Sequence, residues 1–563
     1  MATIVIRSDP PRMSGERVNM VALAHQRLML LLVLFVVATS LIACRLTWMG
    51  VFSGAGRGVV AASGMPPRAD IVDRNDVPLA RTMDGWAISV RPKRLISDPR
   101  ELARKLHEIF PDESEAAFLR KVTGKGWAYL RRRALPEQVA AVNALGEPGI
   151  EFPREKERIY PQRTLAAHIL GFASMDGTGG MGVEAAFNDR LTDPARRGEP
   201  FRLSVDSRVQ AALESELNAQ MISQQARGAA GIILDANTGE VIAMASLPVF
   251  DPNKLDANPE ARRNDVVQSR YELGSTFKPL SIAAAMDAGT VTSMAKRYDA
   301  TAPLQVAGFR IKDDHPLKRW LNVPETLVHS SNIATARIAD EMGPEPLKKL
   351  YRSLEFDSRP SIELRERART LWPANWGRIT TMTVSYGHGI AVTPLHLASA
   401  YAALVNGGMW RPATLRRLEP NEVPEGRRVF SAATSARMRQ LLRMIVAAGT
   451  GRSADAKGYR VGGKTGSAEK PFEGGYAHTS LVTTFAAAFP MDNPKYVVLA
   501  MMDEPKGNAE TFGLRTAAWT AAPVVKRVIE RTGPMLGVMP DEHRDVDISE
   551  LMPLLWKAPG DKE

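Results

Sequence analysis

Three short segments combine residue types that could carry out nucleophilic chemistry. The first is YELGSTFKPL, residues 271–280, in which Ser275 precedes Lys278 by three positions and Pro279 follows the lysine. Proline has no backbone N–H and is tolerated in a helix only near its first turn, so we expect Ser275 at a helix start. Residues three apart lie on one helix face, which places the hydroxyl beside the amine. A partly buried amine near the positive end of a helix dipole can be neutral and accept the serine proton.

The second segment is VHSSNIAT, residues 328–335, which contains Ser330 and Asn332. A serine hydroxyl can relay a proton, and an asparagine amide both donates and accepts hydrogen bonds, which suits holding a peptide bond. The same residue types are also favoured at helix N-caps. Taken alone, this segment leaves a helix cap and a catalytic pair as alternatives.

The third segment, YRVGGKTGSAEK, begins at Tyr459. Its glycines Gly462, Gly463 and Gly466 would let another backbone approach closely, as when a substrate lies along a sheet edge. Lys464 would supply a fixed positive charge beside that edge. A phosphate-binding loop is excluded, because Tyr459 stands where the first glycine of that motif belongs.

The elements around these segments predict one α+β domain. In residues 228–246, two apolar runs flank the turn-forming Asn237, Thr238 and Gly239, which is typical of a β-hairpin. Farther along, TSLVTTFAAAFP and KYVVLAMMDEP indicate two strands joined by MDNP, and residues 517–533 show a helical pattern. Strands at both ends of a helical middle imply a sheet closed by distant segments.

The rest of the chain lacks a catalytic grouping. From about residue 71 to 227, short strand-like pieces alternate with charged helical pieces, which we interpret as a spacer or docking domain. Residues 541–563 hold seven acidic and three basic residues, and we interpret them as a solvated acidic tail.

An uncharged apolar run covers residues 28–44, and beyond Arg45 apolar residues continue to about residue 50. Counting that continuation, the stretch approaches the roughly 20 residues that span a bilayer. A cleaved signal peptide usually has a shorter leader than the 27 residues found here. The sequence LIAC would suit lipid attachment at Cys44, but Arg45 and the long leader favour an uncleaved anchor at residues 28–50, followed by a linker at 51–67.

Charge then predicts the orientation of the anchor. Four arginines precede the apolar run, whereas two follow it closely. The positive-inside rule therefore places residues 1–27 in the cytoplasm and the bulk of the chain outside the membrane.

The composition of the chain limits which classes of protein and of partner it fits. Hydrophobic residues make up 44% and charged residues 24% of the chain, as in folded proteins, and the net charge of +11 favours anionic partners. Because we find neither a zinc-spaced Cys/His set nor a compact basic and aromatic module, we exclude nucleic-acid binding. With one cysteine, the chain forms no intramolecular disulfide.

The order of the three segments is more specific than any of them. The pattern is Ser-x-x-Lys, then Ser-x-Asn whose serine lies 52 residues past the lysine, then Lys-Thr-Gly whose lysine lies 132 residues past the asparagine. It is the pattern of penicillin-binding proteins and class A β-lactamases. The chain resembles the class B penicillin-binding proteins, and most closely those of the FtsI division type. RADIVDRNDVPLA is similar to the element that opens the pedestal domain of that family, although Ala69 and Asp76 stand where glycine is usual. The resemblance runs from the anchor to about residue 533.

This resemblance implies a fold and an activity. The fold would be a single N-terminal transmembrane helix, an elongated mixed pedestal domain at 68–227, and a serine β-lactamase-like transpeptidase domain at 228–540 with an antiparallel sheet packed between helices. The activity would be attack on the D-Ala-D-Ala bond of a peptidoglycan stem peptide, followed by cross-linking to a neighbouring amine. No metal or organic cofactor is implied.

The resemblance also implies roles for individual residues. Ser275 would form the acyl-enzyme, Lys278 would be the base, Ser330 and Asn332 would shuttle protons and hold the peptide, Lys464 would support the proton network, and Thr465, Gly466 and Ser467 would bind substrate. The oxyanion hole would come from the backbone N–H groups of Ser275 and Ser467. Ser467 replaces a threonine often found in the family, and His388 is interpreted as structural.

The implied partners are β-lactams, a polytopic SEDS-type glycan polymerase and other division proteins at the septum. Alternatives from the same residues are an elongation-type transpeptidase, a hydrolase such as a carboxypeptidase or β-lactamase, and a non-catalytic β-lactam sensor or scaffold.

Overall fold

The computed structural model describes residues 15–51, 67–174, 176–255, 258–472 and 475–556, with side chains described for these ranges except 15–22, 24, 46–51 and 471–479. The helices are α1 Gly15–Val51, α2 Pro99–Ile109, α3 Glu115–Val122, α4 Pro136–Asn143, α5 Ala167–Leu170, α6 Gly182–Ala186, α7 Asn188–Thr192, α8 Ser207–Ser223, α9 Lys278–Asp287, α10 Val323–Val328, α11 Asn332–Met342, α12 Pro344–Ser353, α13 Arg378–Ser385, α14 Pro394–Val405, α15 Ala432–Ala448 and α16 Ala522–Thr532. The strands are β1 Ile71–Val72, β2 Pro78–Val90, β3 Ala128–Ala134, β4 Ile150–Glu151, β5 Arg154–Ile159, β6 Phe172–Ala173, β7 Gly179–Met181, β8 Phe201–Arg202, β9 Gly228–Asp235, β10 Val241–Leu247, β11 Arg297–Asp299, β12 Leu304–Val306, β13 Phe309–Ile311, β14 Trp320–Asn322, β15 Met409–Trp410, β16 Arg427–Arg428, β17 Gly462–Phe472, β18 Gly475–Phe489 and β19 Tyr496–Asp503.

Helix α1 contains the predicted anchor. Residues 25–45 have a mean hydropathy of 2.5, and the helix is long and apolar enough to cross a membrane. The helix begins at Gly15, well before the apolar run, so part of the predicted 1–27 segment is helical. Most of the predicted linker, residues 52–66, lies outside the described residues, as do residues 1–14.

The chain forms two compact units, Met1–Gly64 with Trp86–Glu155 and Met65–Gly85 with Lys156–Glu563. The structure therefore divides the predicted pedestal of residues 68–227. Its first and last parts belong to the unit that carries the three segments, because β1 pairs with β8 and helix α8 packs on strands β9 and β10.

Residues 86–155 form a small α+β layer. The second half of β2 pairs antiparallel with β3 and β4. Helix α2 starts at an N-cap, Asp98, whose carboxylate accepts the N–H groups of the first turn, and it buries Leu102 and Leu106. These leucines pack with Phe118 and Leu130 in the core of this unit.

The larger unit is built on a five-stranded antiparallel sheet with the order β10-β9-β19-β18-β17. Ile233 of β9 packs towards α8 and α16, whereas Ile232 and Leu234 belong to the core on the other face, which includes α14. Because both faces of the sheet are covered, alternate side chains are all buried and the strands read as continuous apolar runs. The predicted hairpin at 228–246 and the predicted pairing of the two later strands are confirmed.

The predicted helix at 517–533 begins later than the pattern indicated. Helix α16 starts at Ala522, and Pro523 occupies its first turn. Proline cannot donate the N–H that a helix interior requires, so the chain before it forms turns instead.

Residues 541–556 of the predicted solvated acidic tail are largely exposed, but they also pack against the larger unit. Leu551 is buried in the main core, and Asp545 forms an ion pair with Arg443 of α15. Glu550 likewise lies 3.3 Å from Arg437, whereas Glu542 and Asp547 are exposed, so the acidic side chains are mostly solvated although the segment is attached to the fold. Residues 557–563 lie outside the described range.

Candidate active site

Ser275 lies in a single 3-10 turn, Gly274–Phe277, that leads directly into helix α9. Lys278 and Pro279 open that helix, as the position of the proline predicted. Gly274 has φ 53°, a left-handed conformation that glycine adopts without strain. Tyr401 of α14 donates from its hydroxyl to the carbonyl of Thr276 at 2.8 Å, which fixes the turn against the core.

Lys278 is fully buried and contacts three oxygens. Its Nζ lies 2.8 Å from Ser275 Oγ, 2.5 Å from the Ser330 carbonyl oxygen and 3.1 Å from Ser330 Oγ. Burial lowers the pKa of Lys278 to about 7, although the carboxylates of Asp313 and Asp314 act in the opposite direction. An amine with that pKa is substantially neutral near neutral pH and can accept the Ser275 proton.

Ser330 follows helix α10 and is held in an uncommon backbone conformation. Helix α10 begins with a capping box in which Asn322 and Glu325 satisfy each other's backbone N–H groups. At its other end Ser330 has φ 59°, which a residue other than glycine adopts only when its surroundings hold it there. The strained backbone directs both Ser330 oxygens at Lys278.

The next two residues fasten this loop to neighbouring elements. Ser331 caps helix α11, and its hydroxyl donates to Asp313 at 2.8 Å, so the predicted helix-cap role belongs to Ser331. Asn332 is the first residue of that helix, and its Nδ2 donates to the carbonyl of Lys312 at 3.0 Å. The structure thus brings Ser330 to the serine and lysine pair and places Asn332 beside the segment that follows strand β13.

Strand β17 is the edge strand of the main sheet and carries the third segment. Lys464 is fully buried, and its Nζ donates to the carbonyl and hydroxyl oxygens of Thr465 at 3.0 and 3.1 Å. Burial, reinforced by the nearby charge of Lys278, lowers the pKa of Lys464 well below its ordinary value. The two lysines are therefore buried close enough for their charges to interact, although 186 residues separate them along the chain.

The glycines of β17 are explained differently from the prediction. A side chain at Gly466 would collide with the Leu273 carbonyl and with Thr276, so this glycine lets the serine turn pack directly on the strand. Gly462 lies against the backbone of α15, and Gly463 against strand β18. A close backbone approach is present within this chain itself. Beyond them, Ser467 Oγ accepts the N–H of Ala517 at 3.0 Å.

Thr450 completes the group and was missed by the sequence analysis. Its Oγ1 accepts a hydrogen bond from Thr465 Oγ1 at 3.1 Å, and its N–H donates to the carbonyl of Val328 at 3.3 Å. A single threonine in a glycine-rich turn carries no spacing signature. Its position becomes visible only when α15 and β17 are seen together.

His388, which the sequence analysis left outside the site, lies close to it. Its Nδ1 is 3.6 Å from Glu272, and Gly387 packs against the backbone of Gly274 so closely that any side chain there would collide. Burial, and then the charge of Lys278, lowers the pKa of His388. The neutral ring can line the mouth of the site without adding charge.

A serine and lysine pair at a helix start, facing a second buried lysine on a sheet edge, defines the serine acyltransferase class of penicillin-binding proteins and β-lactamases. The penicillin binding protein transpeptidase domain matches residues 229–530, and the penicillin-binding protein dimerisation domain matches residues 63–192. A probable peptidoglycan D,D-transpeptidase FtsI from Caulobacter vibrioides is 41% identical, covering 87% of this chain and 85% of that relative. The chain belongs to the penicillin-binding protein transpeptidase family, among its FtsI-type peptidoglycan D,D-transpeptidases.

One further relative and one solved structure are similar to this chain. The peptidoglycan D,D-transpeptidase FtsI from Escherichia coli is 27% identical and covers 97% of each chain. A crystal structure of penicillin binding protein 3 from Mycobacterium tuberculosis, complexed with aztreonam, has a TM-score of 0.67 and 24% identity over 85% of this chain and 98% of that one. The likeness to that structure supports the same fold.

Proposed function

We propose that this chain is a serine D,D-transpeptidase that cross-links peptidoglycan stem peptides through an acyl-enzyme at Ser275. The observation that carries the proposal is the 2.8 Å contact between Ser275 Oγ and the buried Lys278 Nζ. A weak nucleophile needs an adjacent base, and burial supplies one here by lowering the pKa of the amine to about 7.

In the acylation step, neutral Lys278 takes the proton of Ser275 while Oγ attacks the carbonyl carbon of the D-Ala-D-Ala peptide bond. An oxygen–carbon bond forms, the carbon–nitrogen bond breaks, and the terminal D-Ala leaves as an amine after it receives a proton. Ser330 Oγ, 3.1 Å from Lys278 Nζ, is the group through which that proton travels. Asn332 and Thr465 hold the peptide in place.

The second step reverses the proton transfers. The amine of a neighbouring stem peptide attacks the ester carbon, loses a proton to the Lys278 network, and displaces Ser275 Oγ, which regains its hydrogen. The backbone N–H groups of Ser275 and Ser467 stabilise the oxyanion in both steps. Lys464 supports the proton network from the sheet edge, and Gly466 keeps β17 against the serine turn. β-Lactams are trapped at Ser275 because they imitate D-Ala-D-Ala.

The cellular setting follows from the same reading. Helix α1 anchors the chain in the cytoplasmic membrane with residues 1–27 inside, and residues 228–540 work outside as the transpeptidase domain, with residues 68–227 as the pedestal. The substrate lies outside the cytoplasm, which agrees with this orientation. Because this chain cross-links but does not polymerise glycan, its partner is a SEDS-type membrane polymerase at the division septum.

Covalent labelling tests the proposal. Membranes that contain the intact chain or a folded Ser275→Ala variant are treated with fluorescent penicillin. We expect a stable label on the intact chain and none on the variant. Label that survives in Ser275→Ala would show that another residue is the nucleophile, and no label on the intact folded chain would favour a non-catalytic scaffold.

A further inference from the structure

We infer that the C-terminal segment 541–556, which we call the strap, positions the catalytic group by tying helix α15 to helix α10. Both helices end at the active site, and the strap joins them at a distance from it. Within the described residues, this segment is the part of the chain that sequence analysis assigned to solvent. The inference rests on the proposed function, since its readout is acylation of Ser275.

The first half of the strap is held by α15. Asp545 Oδ2 lies 2.7 Å from Arg443 Nη2, and Arg443 also donates to Asp455 and to the carbonyl of Val461, the residue before strand β17. Farther along, Gln440 Nε2 donates to the carbonyl of Asp547 at 2.8 Å. One arginine therefore connects the strap to the start of the strand that carries Lys464.

The second half of the strap is held at the beginning of α10. Leu551 is buried. Asn322 Nδ2 donates to the carbonyl of Leu554 at 2.6 Å, and the backbone N–H of Trp556 donates to Glu325 Oε1 at 2.9 Å. Asn322 and Glu325 are the two residues of the α10 capping box, so the strap engages both partners of the box.

Arg319 contacts both the strap and helix α10. Its guanidinium lies over the Trp556 ring at 5.1 Å and forms a 2.9 Å ion pair with Glu325. The buried Glu325 carboxylate is thus shared among its own helix cap, the strap and Arg319. Removal of the strap takes away one of these donors and the ring on which Arg319 rests.

The C-terminal ends of the two helices meet at the catalytic group. Thr450, just after α15, donates its N–H to the carbonyl of Val328, the last residue of α10. Thr450 also contacts Thr465, and two residues beyond Val328 the strained Ser330 contacts Lys278. A tilt of α10 against α15 would move the Ser330 oxygens relative to Lys278 Nζ.

The backbone conformation of Ser330 makes its contacts with Lys278 sensitive to movement of α10. A left-handed backbone at a residue other than glycine persists only while its surroundings hold it. If the strap is lost, α10 can shift and Ser330 can relax, which admits water to Lys278 and removes its acceptors. Misplacement of catalytic groups by about 1 Å can reduce rates by about a hundredfold.

Two truncations of the full-length, detergent-solubilised chain test the inference. One stops after Pro540 and removes the strap, and its matched control stops after Trp556 and keeps every strap contact described above. We expect acylation by fluorescent penicillin to slow by about tenfold or more in the first. The control should react at the rate of the intact chain.

The pH profile separates positioning from general loss of stability. The titratable groups around Lys278 are Asp313, Asp314, Lys464 and His388, and none of them belongs to the strap. Water reaching Lys278 should move the rising limb of acylation to higher pH in the strapless chain. Val528→Ala, a buried substitution in α16 on the other face of the sheet, should lower stability without moving that limb.

A point variant keeps the inference testable if the strapless chain does not fold. Trp556→Ala removes the ring under Arg319 and should slow acylation by about threefold, whereas Trp556→Phe should restore the rate. Acylation at the intact rate and with the intact pH profile in both Trp556→Ala and any folded strapless chain would overturn the inference. An intact chain that takes no label would instead count against the proposed function.

Discussion

Two buried clusters of basic side chains in the larger unit are built on opposite principles. In one, Arg68 and Arg158 approach the two carboxylate oxygens of fully buried Glu184 at 2.9 and 2.6 Å. In the other, Lys278 and Lys464 hydrogen-bond only to hydroxyl and carbonyl oxygens, and no carboxylate in the described part of the chain forms an ion pair with either.

The difference teaches how the same kind of burial serves two purposes. A buried cation that is paired with a carboxylate and fully hydrogen-bonded keeps its charge and fixes the backbone around it. A buried amine without such a partner loses its proton more readily, because desolvation penalises the charged form. The arginine cluster therefore holds elements together, and the lysine cluster contains the proposed base.

The largest effect should come from the base itself. In Lys278→Met, acylation by fluorescent penicillin should fall by about 10²- to 10⁴-fold, the usual contribution of a general base. Lys278→Arg should not recover the rate, because a guanidinium stays protonated at any accessible pH. A Lys278→Arg enzyme that reacts as fast as the intact chain would break the comparison.

The next effect concerns stability. Glu184→Gln leaves two buried guanidinium groups without their anion, so the free energy of unfolding should fall by about 3–5 kcal/mol in denaturant titration. Lys464→Met removes a buried amine that has no ion-pair partner among the described residues. Its stability should be equal to or greater than that of the intact chain while acylation falls. Equal destabilisation by both substitutions would contradict the distinction.

A pH titration sharpens the contrast. Because the pKa of Lys278 is lowered from 10.5 to about 7, acylation should rise with pH through about 7 and then level off. Between these two values the unfolded chain binds a proton that the folded chain does not, so the free energy of unfolding should increase with pH. The slope is at most about 1.4 kcal/mol per pH unit and vanishes below pH 7. In Lys278→Met, this increase in the free energy of unfolding with pH should be absent. An unchanged slope in that variant would mean that another group causes the increase.

The smallest effect should be at the edge of the lysine cluster. Thr450→Val removes one hydroxyl contact to Thr465 and retains the shape of the side chain. One neutral hydrogen bond contributes about 1 kcal/mol, which corresponds to a fall of about fivefold in acylation rate. Stopped-flow labelling of the variant and of the intact chain measures this difference in acylation rate. A loss as large as that of Lys278→Met would mean that Thr450 has a direct chemical role.

The spacing of residues along the chain predicted those contacts of the site that form between residues close together in sequence. The contact between Ser275 and Lys278 follows from three-residue spacing at a helix start, and the hairpin of β9 and β10 follows from its turn residues. The meeting of Lys278 with Lys464 depends on a sheet that joins segments far apart, so only the order of the three motifs pointed to it.

Other features depend on neighbours that no pattern along the chain reveals. Thr450 has no recognisable motif, and its role depends on where α10 ends. The strap has the composition of an exposed tail, and most of its acidic side chains are exposed, yet Asp545 contacts Arg443 of α15, about 100 residues earlier. The glycines of β17 correctly predicted close backbone contact, but the contacting backbone proved to be the chain's own serine turn.

Helix α1 has one more consequence, through its exposed Cys44. It is the single cysteine of the chain, so residues 46–563 contain no thiol. Oxidants that convert thiols to sulfenic acids or mixed disulfides have no target beyond the anchor. A maleimide dye would label the membrane segment alone, and after Cys44→Ser any newly introduced cysteine would be a unique site for a probe.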